Sequence, residues 1–165
     1  MLSELRTQYL LVLGRTYDSY GLPQLCGMVE GLLSLTDRPL SQTDISELLK
    51  AILGDLDVPT SVPSVNRAMQ VLEQYGVVKK TGTRKEGYLY YLVEGSDLIR
   101  NMFAQFVEVN DLTIHQLSEL RSQVGTDDPS LSQVLGYQVE GYTVFNSLLI
   151  RWIAELSSSE GGESK

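Results

Sequence analysis

Polar and basic side chains cluster between residues 61 and 85 of this 165-residue chain. Hydroxyl, amide and guanidinium groups are the groups that read base edges in a DNA groove, and lysine and arginine bind phosphates. The side chains that could make these contacts are Ser61, Ser64, Asn66, Arg67, Gln70, Lys79, Lys80, Arg84 and Lys85. Their types and their crowding indicate a surface for double-stranded DNA.

Two helices are predicted to position the first of these side chains. The spacing of apolar residues predicts one helix over residues 41–53, which begins with a capping box of Ser41 and Asp44. It predicts a second helix over residues 64–75, with Ser64 and the later polar residues facing outward. Gly76 is expected to end this second helix in a left-handed conformation.

Strand formers on both sides of a glycine-flanked turn predict a hairpin after the second helix. The strands are expected at residues 77–81 and 88–93, with Arg84 and Lys85 at the tip. Such a tip is either a solvated charged turn or a wing that lies along the minor groove, where the negative potential attracts arginine. Helix, helix and hairpin in this order predict a winged helix-turn-helix, in a fold that is mainly α with a small β-hairpin wing.

Three parts of the chain resemble the MarR family of bacterial and archaeal transcription regulators, and most closely its GbsR-like branch. Tyr20-Gly21-Leu22-Pro23 and the later Asp37-Arg38-Pro39-Leu40 resemble its first core helix and the turn after it. Residues 61–78 resemble its recognition helix, and Gly82-Thr83-Arg84 with Tyr90-Tyr91 resembles its wing. The resemblance implies a dimer joined by its first and last helices, and a regulator that is more often a repressor than an activator.

The connection between the two predicted helices departs from the family's usual tight turn. Residues 54–63 are several residues longer and contain two acidic residues and two prolines. The segment is either a rigid loop on the protein surface or a modified approach to DNA. The two alternatives lead to different placements of the second helix.

Long helices with apolar stripes are predicted on both sides of the winged region. The last of them carries a heptad seam of Leu131, Leu135, Gln138, Tyr142, Phe145, Leu149, Trp152 and Leu156. Stripes of this length predict a homodimer that binds a pseudo-palindromic operator. Its interface is expected at Leu5, Tyr9, Val12, Leu135, Tyr142, Phe145, Leu149 and Trp152. The alternative is a monomeric bundle in which the stripes pack on one another.

Four segments are therefore expected along the chain. They are an N-terminal dimerisation helix over residues 1–20, a winged helix-turn-helix DNA-binding domain over residues 21–95, a C-terminal helical dimerisation region over residues 96–157 and a disordered tail over residues 158–165.

A net charge of −8 is an objection to DNA binding. Between residues 64 and 92, however, five basic residues stand against two acidic ones, so the charge of the winged region is locally positive. The competing class is a winged helix that assembles with other proteins and binds no DNA, which the acidic balance favours. The residue types on the second helix favour a DNA-binding transcriptional regulator.

Catalysis is not expected from this composition. With one histidine and one cysteine, the chain lacks the residues for most nucleophile–base pairs and for a zinc site built on cysteines. No glycine-rich phosphate loop follows a predicted strand. We predict no enzyme activity, cofactor or metal. Cys26 is expected to be a buried apolar residue rather than a redox sensor. No apolar run is long enough to span a membrane, so a cytoplasmic protein is expected.

A small-molecule effector of unidentified chemistry is a further candidate partner. GbsR-like relatives include choline sensors, and aromatic faces attract quaternary ammonium groups. Such a cage could combine tyrosines of the first helix with aromatic residues of the last, namely Tyr9, Tyr17, Tyr20, Tyr137, Tyr142 and Trp152. The alternative is that these aromatic residues pack in the core.

Overall fold

The computed structural model describes residues 2–54, 56–94 and 98–159 of the chain. Within them it has six helices and one two-stranded antiparallel sheet. In chain order these are α1 (Leu2–Ser19), α2 (Gln24–Ser34), α3 (Gln42–Leu53), α4 (Val62–Gln74), β1 (Val78–Thr83), β2 (Gly87–Leu92), α5 (Leu98–Val124) and α6 (Pro129–Ser159). The predicted fold class, mainly α with a β-hairpin wing, is confirmed.

The chain divides into two compact units, Met1–Leu98 and Ile99–Lys165. The first unit contains the winged helix-turn-helix together with α1. The second contains the long helices α5 and α6. Residues 158 and 159, which we expected in the tail, are the last residues of α6, and residues 160–165 lie outside the described residues. None of the helices in the described part of the chain is both long and apolar enough to span a membrane.

Two glycines let α1 pack closely on α2. A Cβ on Gly27 would overlap the carbonyl oxygen of Leu13, and one on Gly31 would lie 2.8 Å from the Cδ2 atom of Leu10. Tyr17 of α1 is buried and donates a hydrogen bond to the Glu30 carboxylate. The first helix therefore forms part of the core of unit 1, and the dimerisation role of its outer face stays a prediction.

The ends of α3 and α4 follow from local hydrogen bonds. Ser41 caps α3 in the predicted capping box, because its hydroxyl accepts from the Asp44 backbone N–H and the Asp44 carboxylate accepts from the Ser41 N–H. Gly76, at φ 67°, ends α4 as predicted. Its N–H donates to Glu73 and the next N–H donates to Leu72, which is a Schellman motif.

A backbone bridge joins the hairpin to the segment just before α3. β1 pairs with β2 from Val78 opposite Leu92 to Thr83 opposite Gly87. Leu40, just before α3, exchanges two backbone hydrogen bonds of 2.8 and 2.9 Å with Tyr90 of β2. This bridge places the base of the hairpin against the start of α3.

The second unit is an antiparallel pair of helices with a polar contact between them. The buried Asn110 of α5 donates from Nδ2 to Oδ1 of Asn146 on α6 at 3.3 Å, and Asn146 donates to Asp111 at 2.7 Å. The Phe103 and Trp152 rings meet edge to face with centroids 4.8 Å apart. These contacts fix how α5 and α6 are paired along their length.

We predict that Gly27→Ala lowers the free energy of unfolding by about 1–3 kcal/mol, because the new methyl group meets backbone rather than a movable side chain. Gly136→Ala is the matched control, since a Cβ there approaches only the flexible end of Arg121. Urea unfolding should show the control unchanged or more stable, as alanine favours helix. Equal stability of the two variants would contradict the close packing of α1 on α2.

Candidate nucleic-acid interface

The outer face of α4 presents side chains that could contact a DNA groove. Arg67, Gln70 and Gln74 are exposed on it, and the apolar face opposite is buried as the sequence predicted. The helix begins at Val62, two residues earlier than expected, because Pro63 is well accommodated in the first turn, where no backbone N–H is needed. Val62 is thus exposed at the N-terminal end of the helix, where its methyl groups suit contact with the methyl group of a thymine.

Ser64 does not face outward as predicted. It is only 7% exposed, and its hydroxyl accepts from the Nη2 atom of Arg67 at 3.1 Å. The hydroxyl of the exposed Ser61 lies 2.9 Å from the same oxygen. The Ser64 hydroxyl is therefore hydrogen-bonded to both Ser61 and Arg67. It positions the Arg67 guanidinium and does not itself face DNA.

Asn66 is also engaged within the protein. Its Oδ1 atom accepts from Nε2 of Gln42 at 2.8 Å, and the same Nε2 donates to the Tyr90 hydroxyl at 3.0 Å. One amide of α3 thus touches α4 and β2 at once. The sequence carries no local signal for this role of Gln42, because its partners lie 24 and 48 residues away along the chain.

Most cations of the predicted surface are exposed and unpaired. Lys79 lies on β1, and Arg84 and Lys85 lie at the tip of the hairpin, as predicted. Within the described ranges, no carboxylate lies within ion-pair distance of these three or of Arg67. Lysine and arginine that no carboxylate neutralises remain available to phosphate groups.

Lys80 is the exception among the predicted contacts. Its Nζ atom lies 3.1 Å from a carboxylate oxygen of Glu73 and 5.1 Å from the centre of the Tyr88 ring. The hydrogen bond to Glu73 raises the pKa of Lys80, so the ammonium stays charged. Glu73 therefore removes one positive charge from the surface that the sequence predicted.

The hairpin and the two helices enclose an open cleft of about 440 Å³. Its lining includes the polar side chains of Gln42, Asn66, Gln70, Lys80 and Tyr88. Of the predicted contact residues, Asn66, Gln70 and Lys80 border this cleft. Ser61, Ser64, Arg67 and Lys79 are not part of its lining, and Arg84 and Lys85 lie at the tip of the hairpin.

The long connection before α4 is fastened to α3. The Ser46 hydroxyl donates to the Thr60 carbonyl oxygen at 2.6 Å, and both residues are buried. The Thr60 N–H in turn donates to Val58. These bonds fit the rigid-loop alternative for the residues before α4, of which Asp55 lies outside the described residues.

The residues predicted for a dimer interface fall into two groups. Leu135 and Leu149 are already buried in the single chain, on the face of α6 that carries Asn146. The others are exposed, namely Leu5, Tyr9, Val12, Tyr142, Phe145 and Trp152. An exposed stripe of α6 contains Val134, Tyr137, Gly141, Phe145, Leu148 and Trp152. It shares Phe145 and Trp152 with the predicted seam, and Leu131 and Tyr142 of that seam are exposed beside it.

Cys26 is buried in α2, and its thiol lies 3.8 Å from the Ala68 carbonyl oxygen. Burial raises the pKa of the thiol to about 12. In the described part of the chain, no three side chains of His, Cys, Asp or Glu are grouped so that they could hold a metal ion.

Comparison with known proteins gives a structural relative. A solved structure described as the crystal structure of a transcriptional regulator superposes with a TM-score of 0.62 and 16% sequence identity, covering 93% of this chain and 98% of the other. No protein-family model matches the chain. No curated protein sequence matches it either. The fold of this chain is thus similar to that of a protein described as a transcriptional regulator.

We predict that Cys26 in the folded protein reacts with a thiol reagent at pH 8 at least about a hundredfold more slowly than free cysteine. The raised pKa leaves almost no thiolate, and burial excludes the reagent. Absorbance after adding the reagent measures the rate, and denaturant should restore full labelling. Prompt labelling without denaturant would support the redox-sensor alternative instead.

Proposed function

We propose that the chain is a transcriptional regulator that binds double-stranded DNA through α4 and the hairpin wing. The observation that carries this proposal is the set of exposed, unpaired cations of α4 and the wing within one compact unit. The solved regulator with the same fold supports it. In this account α4 is the recognition helix, and it enters the major groove.

The contacts differ in what they contribute to binding. Arg67 and Gln70 are placed to read base edges in the major groove, and Arg67 arrives with its guanidinium already held by Ser64. Lys79, Arg84 and Lys85 bind phosphates or the minor groove. The acidic remainder of the chain limits nonspecific attraction to phosphate, so binding is modest in affinity and sensitive to salt.

We further propose that two copies act as a repressor of the MarR type, GbsR-like branch, in the cytoplasm. Two recognition helices related by a two-fold axis fit a pseudo-palindromic operator. The exposed stripe on α6 supports self-association, because large apolar side chains at heptad spacing are costly to leave in water. A bound dimer that covers a promoter would block transcription.

A small-molecule effector remains part of the proposal, with its chemistry unassigned. Tyr17 is removed from the aromatic cage considered above, since it is buried and its hydroxyl is bound to Glu30. Tyr9 makes a hydrogen bond to Ser34 and keeps an exposed ring.

A winged helix that assembles with other proteins is the second candidate function. The net charge of −8 favours it, because such a charge repels nucleic acid outside the local basic surface. A gel-shift experiment with the DNA upstream of the chain's own gene separates the two. A shift that competitor DNA does not abolish supports the regulator, and no shift at low salt supports the assembly module.

We predict that Arg67→Ala weakens operator binding by about 1–3 kcal/mol, because it removes a contact to a base edge or a phosphate. The thermal midpoint should barely change, since the side chain is exposed. Lys50→Ala, an exposed cation in the last turn of α3, is the control and should bind as wild type does. Wild-type affinity in Arg67→Ala would show that α4 is not the recognition helix.

We predict that Phe145→Glu converts the dimer into a folded monomer with weaker operator binding. The side chain is 50% exposed in the single chain, so a carboxylate is tolerated there, whereas a dimer interface would bury it unpaired. Ser147→Glu adds the same charge on the polar face of α6 and should leave the dimer intact. Sedimentation velocity measures both, and an intact Phe145→Glu dimer would exclude this stripe as the interface.

A further inference from the structure

The amide of Gln42 joins α3, α4 and the hairpin through two hydrogen bonds. Its Nε2 atom lies 2.8 Å from Oδ1 of Asn66 and 3.0 Å from the Tyr90 hydroxyl. Asn66 belongs to α4 and Tyr90 to β2, whereas Gln42 is the first residue of α3. A single donor group thus links the recognition helix to the wing.

The backbone just before Gln42 is held by two sets of hydrogen bonds. Ser41 before it is fixed by the capping box with Asp44, and Leu40 before that exchanges two backbone hydrogen bonds with Tyr90. Tyr90 itself is buried. The backbone before Gln42 and its partner Tyr90 are both fixed. The Gln42 amide therefore has a defined position, and from it the amide orients Asn66.

This orientation decides what Asn66 can offer to a base. An asparagine selects adenine when its Oδ1 accepts from N6 and its Nδ2 donates to N7 of the same base. Here Oδ1 of Asn66 is turned toward Gln42 and engaged by it, so the amino group is the part left to contact DNA. An amino group alone pairs with acceptors, and N7 and O6 of guanine are the adjacent acceptors in the major groove.

We propose that Gln42 is a positioning residue for sequence recognition, which turns Asn66 from a reader of adenine into a reader of guanine. This inference rests on the proposed DNA-binding function and assigns a specificity to that same surface. Gln42 itself need not touch the DNA. Its role is to fix the Asn66 amide and to hold the wing beside α4 through Tyr90.

The test is a binding selection from a pool of duplexes with a randomised core, using the full chain. Wild type should prefer guanine at one position of each half-site. Gln42→Met keeps the side-chain length but removes the donor, so the preference at that position should move toward adenine by roughly tenfold. In the double variant with Asn66→Ala, the Gln42→Met substitution should have no further effect on that position.

Tyr90→Phe is the matched control, because it removes only the hydroxyl and leaves the bond between Gln42 and Asn66. It should keep the guanine preference. If Gln42→Met weakens binding to all sequences equally and the preference is unchanged, Gln42 is a structural residue and the inference is wrong while the proposed function stands. If wild type selects no duplex at all, the proposed function fails and the inference falls with it.

Discussion

The wing depends on its attachment at Tyr90. A two-stranded hairpin is marginal by itself in water, and β1 and β2 form no larger sheet within the described residues. Two backbone hydrogen bonds to Leu40, the burial of the Tyr90 ring and the bond from Gln42 hold it to the helices. Because Leu40 directly precedes the cap of α3, this attachment sets where Arg84 and Lys85 lie relative to Arg67. The geometry of the candidate DNA surface depends on that placement.

Features with short-range causes were predictable from the sequence. The capping box of Ser41 and Asp44 and the glycine stop at Gly76 formed as expected, because each depends on residues within a few positions. The buried face of α4 and the basic tip of the hairpin follow from the periods of helix and strand. The fold class could be predicted correctly because it depends on these local patterns and not on any particular long-range contact.

Features that depend on packing between elements were not predictable in this way. Ser64 was expected to face outward, yet it lies at the edge of the buried face of α4, four residues before Ala68, and is bound to Arg67. On α6, periodicity does not distinguish Leu149, which is buried in the single chain, from its neighbour Leu148, which is exposed. The sequence therefore could not show that Leu135 and Leu149 of the predicted seam pack within the chain. The roles of Gln42 and of Glu73 arise only from partners on other elements.

In the proposed function, an acidic chain binds DNA through a few cations of α4 and the wing that no carboxylate neutralises. The most direct test measures the affinity for the upstream duplex by fluorescence anisotropy over a range of salt concentrations. We predict that the logarithm of the binding constant falls linearly with the logarithm of the salt concentration. Replacing Arg84 and Lys85 together by alanine should reduce the slope by about one to two phosphate equivalents. An identical slope in the variant, or no binding at low salt, would contradict it.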